Sequence, residues 1–180
     1  MKLKEKASWF YISTAIILLS ICAAAALVLA GLNALTADRI AENKAAEEKN
    51  AMLALYPDAG SFEKIDYESD EVRSVYAVKS DGETVAYVFN TSTAGFSDQI
   101  VMAIGIDADG RITGIKVVST SETTGFSNEQ KRNEYLYRYV GLTSFVKADA
   151  ISGATKSSNA AARAVEAALN AYAAVKGDAK

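Results

Sequence analysis

With 180 residues, the chain has room for about one domain and a membrane anchor. It holds no histidine and one cysteine, Cys22. An intrachain disulfide is therefore impossible, and iron–sulfur, haem, zinc and Ser-His-Asp or Cys-His chemistry all lack their usual groups, so no metal site is expected and any electron carrier should be organic. Beyond Lys6 there are 16 Lys and Arg against 21 Asp and Glu, an acidic balance that argues against nucleic acid as a partner.

In chain order, Lys2, Lys4 and Lys6 precede a run from Ala7 to Ala37 without a single charge. Its apolar centre, Trp9 to Leu35, exceeds the roughly 20 residues that a spanning helix needs. Trp9, Phe10 and Tyr11 sit where an aromatic belt should meet one interface. A cleaved signal peptide has an apolar core of about 7–15 residues, shorter than this run. A lipoprotein signal needs a small residue before Cys22, and Ile21 stands there. Cys22 is expected to face lipid or a partner helix. Ala23 to Ala26, with Ala30 and Gly31, would permit close packing against another membrane helix. The three lysines place residues 1–8 in the cytoplasm, the span over 9–35 in the cell (inner) membrane, and everything after it on the far side.

Residues 36–57 are rich in Ala, Glu and Lys and predict a stalk helix, with Thr36 as its N-cap and Tyr56-Pro57-Asp58 as its stop. The remaining residues, 58–180, predict one domain. Val72 to Val78 and Val85 to Phe89 flank Asp81-Gly82, a hairpin signal. A second hairpin follows, with Ile100 to Ile106 and Ile112 to Val118 around Asp107 to Gly110; Gly105 and Gly114 within it suggest a bulge or close packing. Ser119 to Ser127 reads as a loop. Asn128 to Val140 predicts a helix from the spacing of Tyr135, Leu136 and Tyr139, and Thr155 to about Lys176 predicts an Ala-rich one. The fold class is α+β, antiparallel hairpins packed with helices and preceded by one transmembrane helix.

The run Asp149-Ala-Ile-Ser152-Gly153-Ala154-Thr155-Lys-Ser157-Ser158 leads into the last helix. Small residues let a ligand approach the backbone, and a helix start offers amide donors and the positive end of a dipole. The Ser and Thr hydroxyls add donors, so the run suits a phosphate and equally suits a plain helix cap.

This run resembles the flavinylation motif of the FMN-binding domain family. The resemblance implies FMN joined to Thr155 through a phosphoester, installed from FAD by a flavin transferase that recognises Asp149, Ser152, Gly153, Ala154 and Thr155. Ser157 and Ser158 fall at the phosphoryl end. The stretch Ser121-Glu122-Thr123-Thr124-Gly125-Phe126, after the Asp109 to Ile115 strand start, resembles the family's Ser-Glu-Thr-Pro-Gly loop beside the flavin ring, with Thr124 in place of Pro. Glu122, Thr123 and Gly125 become candidate ring contacts.

With the single span, the pattern is similar to the G subunits of Rnf complexes, which pass electrons between ferredoxin and NAD and move Na⁺ or H⁺. The C subunits of Na⁺-translocating NADH:quinone reductases are related. The resemblance runs from the anchor to Ala171, and the short stretch between Tyr139 and Asp149 suits the Rnf protein better. It implies an electron-carrying subunit of a translocase complex, with membrane and peripheral subunits as partners and no catalytic residue of its own. Two non-redox readings stand beside it, an anchored module for a phosphate ligand and a structural subunit without cofactor.

Overall fold

A computed structural model describes residues 2–67, 69–122 and 125–178. The chain divides into two compact units, residues 1–45 and 46–180. From Lys2 onward the first is helical. It belongs to α1, which runs without interruption from Lys2 to Leu55 and contains a stretch long and apolar enough to cross a membrane, with mean hydropathy 2.7. Cys22 is exposed on it. The separate stalk helix expected from Thr36 is not formed. The Thr36 hydroxyl donates back to the carbonyls of Leu32 and Asn33, at 2.9 and 3.4 Å, so it continues the helix it was expected to begin. No proline occurs before Pro57 to stop it. The helix ends at Leu55, directly before the expected Tyr56-Pro57-Asp58 stop.

The second unit holds one five-stranded antiparallel sheet in the order β1-β2-β3-β4-β5. The strands are β1 (Ser61–Ile65), β2 (Val72–Ser80), β3 (Glu83–Ala94), β4 (Gln99–Asp107) and β5 (Ile112–Ser119). Both expected hairpins are present. Asp81 and Gly82 both have positive φ, 52° and 86°, the handedness that matches the twist of a two-residue hairpin. In the second hairpin the Asp107 carboxylate accepts from the amides of Asp109 and Arg111, closing the turn at Gly110. β1 is an additional edge strand, largely exposed.

The α-helices pack on both faces. α3 (Thr155–Asp178) lies across β3, β4 and β2, and its Ala160, Ala161, Ala164, Ala168 and Ala171 are fully buried. Methyl side chains let the helix approach the sheet closely, against Val75, Phe89, Met102 and Ile104. α2 (Glu129–Tyr137) adds Tyr135 and Leu136 to the same core, capped by Asn128, whose side chain accepts from the Lys131 amide. This helix is shorter than the expected 128–140. Its last turn tightens, with amides 138–140 donating three residues back, and Gly141 at φ 89° leaves the helical path. On the opposite face, Val78, Ala86, Val88 and Ala103 meet Ala51 and Met52 from the end of α1. Gly105 and Gly114 pair across β4 and β5, beside a register shift. A Cβ on Gly105 would lie 2.7 Å from the Tyr56 hydroxyl, and one on Gly114 would lie 2.9 Å from Leu55.

Candidate functional site

The segment that follows β5, the β3–β4 loop and the start of α3 converge on one cleft of about 460 Å³. It is lined by Phe96, Glu122, Gly153, Ala154, Thr155, Lys156 and Ser157.

The loop before α3 is folded tightly. The Ala154 amide donates to the Ile151 carbonyl at 2.9 Å, and the Ser158 amide donates to the Ala154 carbonyl at 2.9 Å. Gly153 takes φ 77°, which a side chain would resist. The Ser158 hydroxyl accepts from the Ile151 amide at 3.1 Å. Ser158 is fully buried, so this expected phosphoryl contact instead shapes the loop from behind. Its carbonyl accepts from the Tyr135 hydroxyl at 2.8 Å, and that hydroxyl pairs with Tyr139 at 2.9 Å. Burial raises the Tyr135 pKa strongly, so the Tyr135 hydroxyl stays protonated.

Thr155 is the first residue of α3 and is exposed, as are Ser152, Gly153 and Lys156. Ser152 lies outside the cleft lining. Asp149 is exposed, and its carbonyl accepts from the Arg138 guanidinium at 3.2 Å. Gly125, at φ 79°, packs against the same loop; a Cβ there would come within 2.9 Å of the Ala154 methyl. Thr123, with Thr124, lies outside the described residues.

Glu122 is buried at 7% exposure. Its Oε1 accepts from the amides of Phe96, Ser97 and Asp98, at 2.8, 3.0 and 3.4 Å. Its Oε2 accepts from the Ser157 hydroxyl. Burial alone would raise its pKa, but the Ser157 bond and the three amides outweigh burial and hold the carboxyl below its ordinary range. The carboxylate is thus ionised and engaged by the chain's own donors.

Two residues that sequence reasoning did not single out complete the cleft. Phe96 is 63% exposed, and the Lys156 ammonium lies 5.4 Å from its ring centre. Lys156 also places a cation in the first turn of a helix, where the dipole favours an anion. The signal was present for both. Gly95-Phe96-Ser97-Asp98 is a turn sequence carrying an unexplained large apolar side chain, and Lys156 follows the motif threonine directly. An aromatic face, an ammonium and an exposed hydroxyl at a helix start suit an anionic, planar ligand, and the volume falls within the roughly 300–1,000 Å³ of small-molecule sites. Among the described residues, no cluster of His, Cys, Asp or Glu could hold a metal ion.

Residues 95–170 match the FMN-binding domain, and residues 11–55 match the RnfG N-terminal region. The first match begins at Gly95, on the loop that carries Phe96. The G subunit of the Na⁺-translocating ferredoxin:NAD⁺ oxidoreductase complex of Acetobacterium woodii is 34% identical over 142 residues, 69% of each chain. The G subunit of the ion-translocating oxidoreductase complex of Methanosarcina acetivorans is 34% identical over 149 residues, 74% of this chain and 79% of the relative.

The chain belongs to the RnfG family.

A third member, the G subunit of the ion-translocating oxidoreductase complex of Stutzerimonas stutzeri, is 33% identical over 134 residues, 68% of this chain and 58% of the relative. Of the two complexes left open by the sequence, these relatives and the N-terminal match decide for Rnf. In this family the FMN-binding domain corresponds here to β4, β5, α2 and most of α3, with the β3–β4 loop at its edge.

Proposed function

We propose that this chain is the FMN-carrying, electron-relaying G subunit of an Rnf-type ion-translocating oxidoreductase, with the flavin bonded to Thr155. One observation carries the choice of residue. Of the four hydroxyls between Ser152 and Ser158, Ser157 and Ser158 are buried and engaged, and Ser152 is outside the lining. Thr155 alone among them is both exposed and on the cleft.

In maturation, a flavin transferase would join the Thr155 oxygen to the FMN-side phosphorus of FAD. The pyrophosphate bond breaks, AMP leaves, and the threonine proton passes to a base of the transferase. Exposed Asp149, Ala150, Ser152 and Gly153 offer that enzyme a strip to read. The first amides of α3 and the Lys156 ammonium would balance the phosphoryl charge. Gly125 keeps the neighbouring loop close, and Glu122 belongs to the segment on the ring side. When bound, FMN supplies both one- and two-electron transfer, so it can link carriers of either kind. No side chain of this subunit has to act as acid or base in turnover.

α1 would hold the domain at the membrane, with Lys2, Lys4 and Lys6 keeping the N-terminus cytoplasmic and the domain on the outer side. A covalent bond suits that side, where a flavin once lost is not replaced. The other membrane and peripheral Rnf subunits are then its electron partners.

The test is in-gel fluorescence. The full chain, co-expressed with a flavin transferase and run on a denaturing gel, should give a band that fluoresces under ultraviolet light. Thr155→Ala should give a dark band of equal stain. Fluorescence that survives Thr155→Ala would sink the assignment.

A further inference from the structure

We propose that Phe96 is the stacking face for the flavin ring and that Glu122 is the positioning residue that presents it. The inference rests on FMN being carried at Thr155.

Phe96 stands at the tip of a four-residue turn between β3 and β4, mostly exposed, yet its backbone is held firmly. Three consecutive amides, from Phe96 to Asp98, converge on one oxygen of Glu122. The Gly95 amide closes the turn onto the Asp98 carbonyl at 2.9 Å. A loop that merely connects two strands has no need of a buried carboxylate, which is costly to desolvate unless fully hydrogen-bonded. The second oxygen of that carboxylate grips Ser157, two residues beyond Thr155. One side chain therefore fixes the separation between the aromatic ring and the attachment point. Gly95 makes room for it, because a Cβ there would collide with the Glu122 carboxylate. Aromatic pairs gain from offset or edge contact beyond the area they bury, so a pinned Phe beside a tethered isoalloxazine would hold it in one orientation. Lys156, now over the Phe96 ring, has the reach to turn toward a phosphoryl group on its neighbour.

The experiment uses the full-length flavinylated chain in detergent. Flavin fluorescence anisotropy reports ring mobility, and the midpoint potential reports its surroundings. Phe96→Leu should keep the fluorescent gel band but lower the docked fraction of the ring by roughly two- to tenfold, so that anisotropy drops. Phe96→Tyr should restore it. Glu122→Ala should reproduce the Phe96→Leu loss, because no side-chain acceptor is then left for the three amides or for Ser157. The double variant should be no worse than either single one. Ser157→Ala, which frees one oxygen only, should give a smaller drop with the fold intact. Unchanged anisotropy in Phe96→Leu would remove the stacking role, and a double variant showing the sum of two losses would remove the route through Phe96. A bright wild-type band with dark Thr155→Ala and unaltered Phe96→Leu would overturn this inference alone. A dark wild-type band would overturn it together with the reading of Thr155.

Discussion

Val88 and Phe89 are neighbours in β3, both fully buried, and they face opposite sides of the sheet. Phe89 meets α3 and the aromatic ring of Tyr172, in a core continuous with Phe126, Tyr135 and Ala154. Val88 meets Ala51, Met52 and small sheet residues. The first face carries α3, whose start walls the cleft, and Ala154 belongs to both core and cleft. The second gathers the end of α1 through glycines and alanines. A defect in the first should reach the flavin site, whereas a defect in the second should stay with the helix end.

The largest effect should come from Phe89→Ala. Removing a buried ring costs about 3–5 kcal/mol. Its melting temperature should fall sharply, and the yield of fluorescent band should fall with it. If the band stays at wild-type yield, the two faces are not energetically distinct in the way described. Next is Glu122→Gln, at about 2–3 kcal/mol, because charge-assisted bonds from buried donors are lost. This variant also tests pH. The lowered pKa means the carboxylate stabilises fully above the ordinary glutamate value near 4.5 and loses that contribution as pH falls through the lower folded value. Wild-type melting temperature should therefore decline more steeply below pH 4.5 than the melting temperature of Glu122→Gln. Parallel declines would dissociate the clamp from stability.

Val88→Ala removes about two methyl groups, worth roughly 2 kcal/mol with its cavity. It should lower the melting temperature while leaving flavin anisotropy unchanged. Tyr56→Phe should do least, about 1 kcal/mol for the bond between its hydroxyl and Thr113. Hydrogen exchange should speed at amides 51–56 and nowhere near α3. Faster exchange at 152–158 in either variant would show that the faces communicate.

Much of this plan is legible from the chain. Asp81-Gly82 announces its hairpin because both residues tolerate positive φ, and the small, hydroxyl-rich run from Ser152 to Ser158 announces a helix start. β1 escapes notice because Ser61–Ile65 carries only Phe62 and Ile65 as apolar points, too few to show a period of two, and an edge strand needs no more. The continuity of α1 through Thr36 is hidden because a threonine can cap a helix or bond back within one, and local sequence does not distinguish these. At the site, exposure separates Thr155 from Ser157 and Ser158, which look equivalent in the sequence. The Glu122 clamp is invisible for a different reason. It joins residues 24 to 35 positions apart, and no periodicity encodes such a pairing.

Gly95 carries a consequence for how the family can diverge. Any side chain at this position would displace the Glu122 carboxylate and would also come within 2.9 Å of the Asp98 carbonyl oxygen. The constraint should accordingly run one way among related subunits. Lineages that keep the acid should keep the glycine, whereas losing the acid alone would still leave the Asp98 carbonyl against any larger residue there.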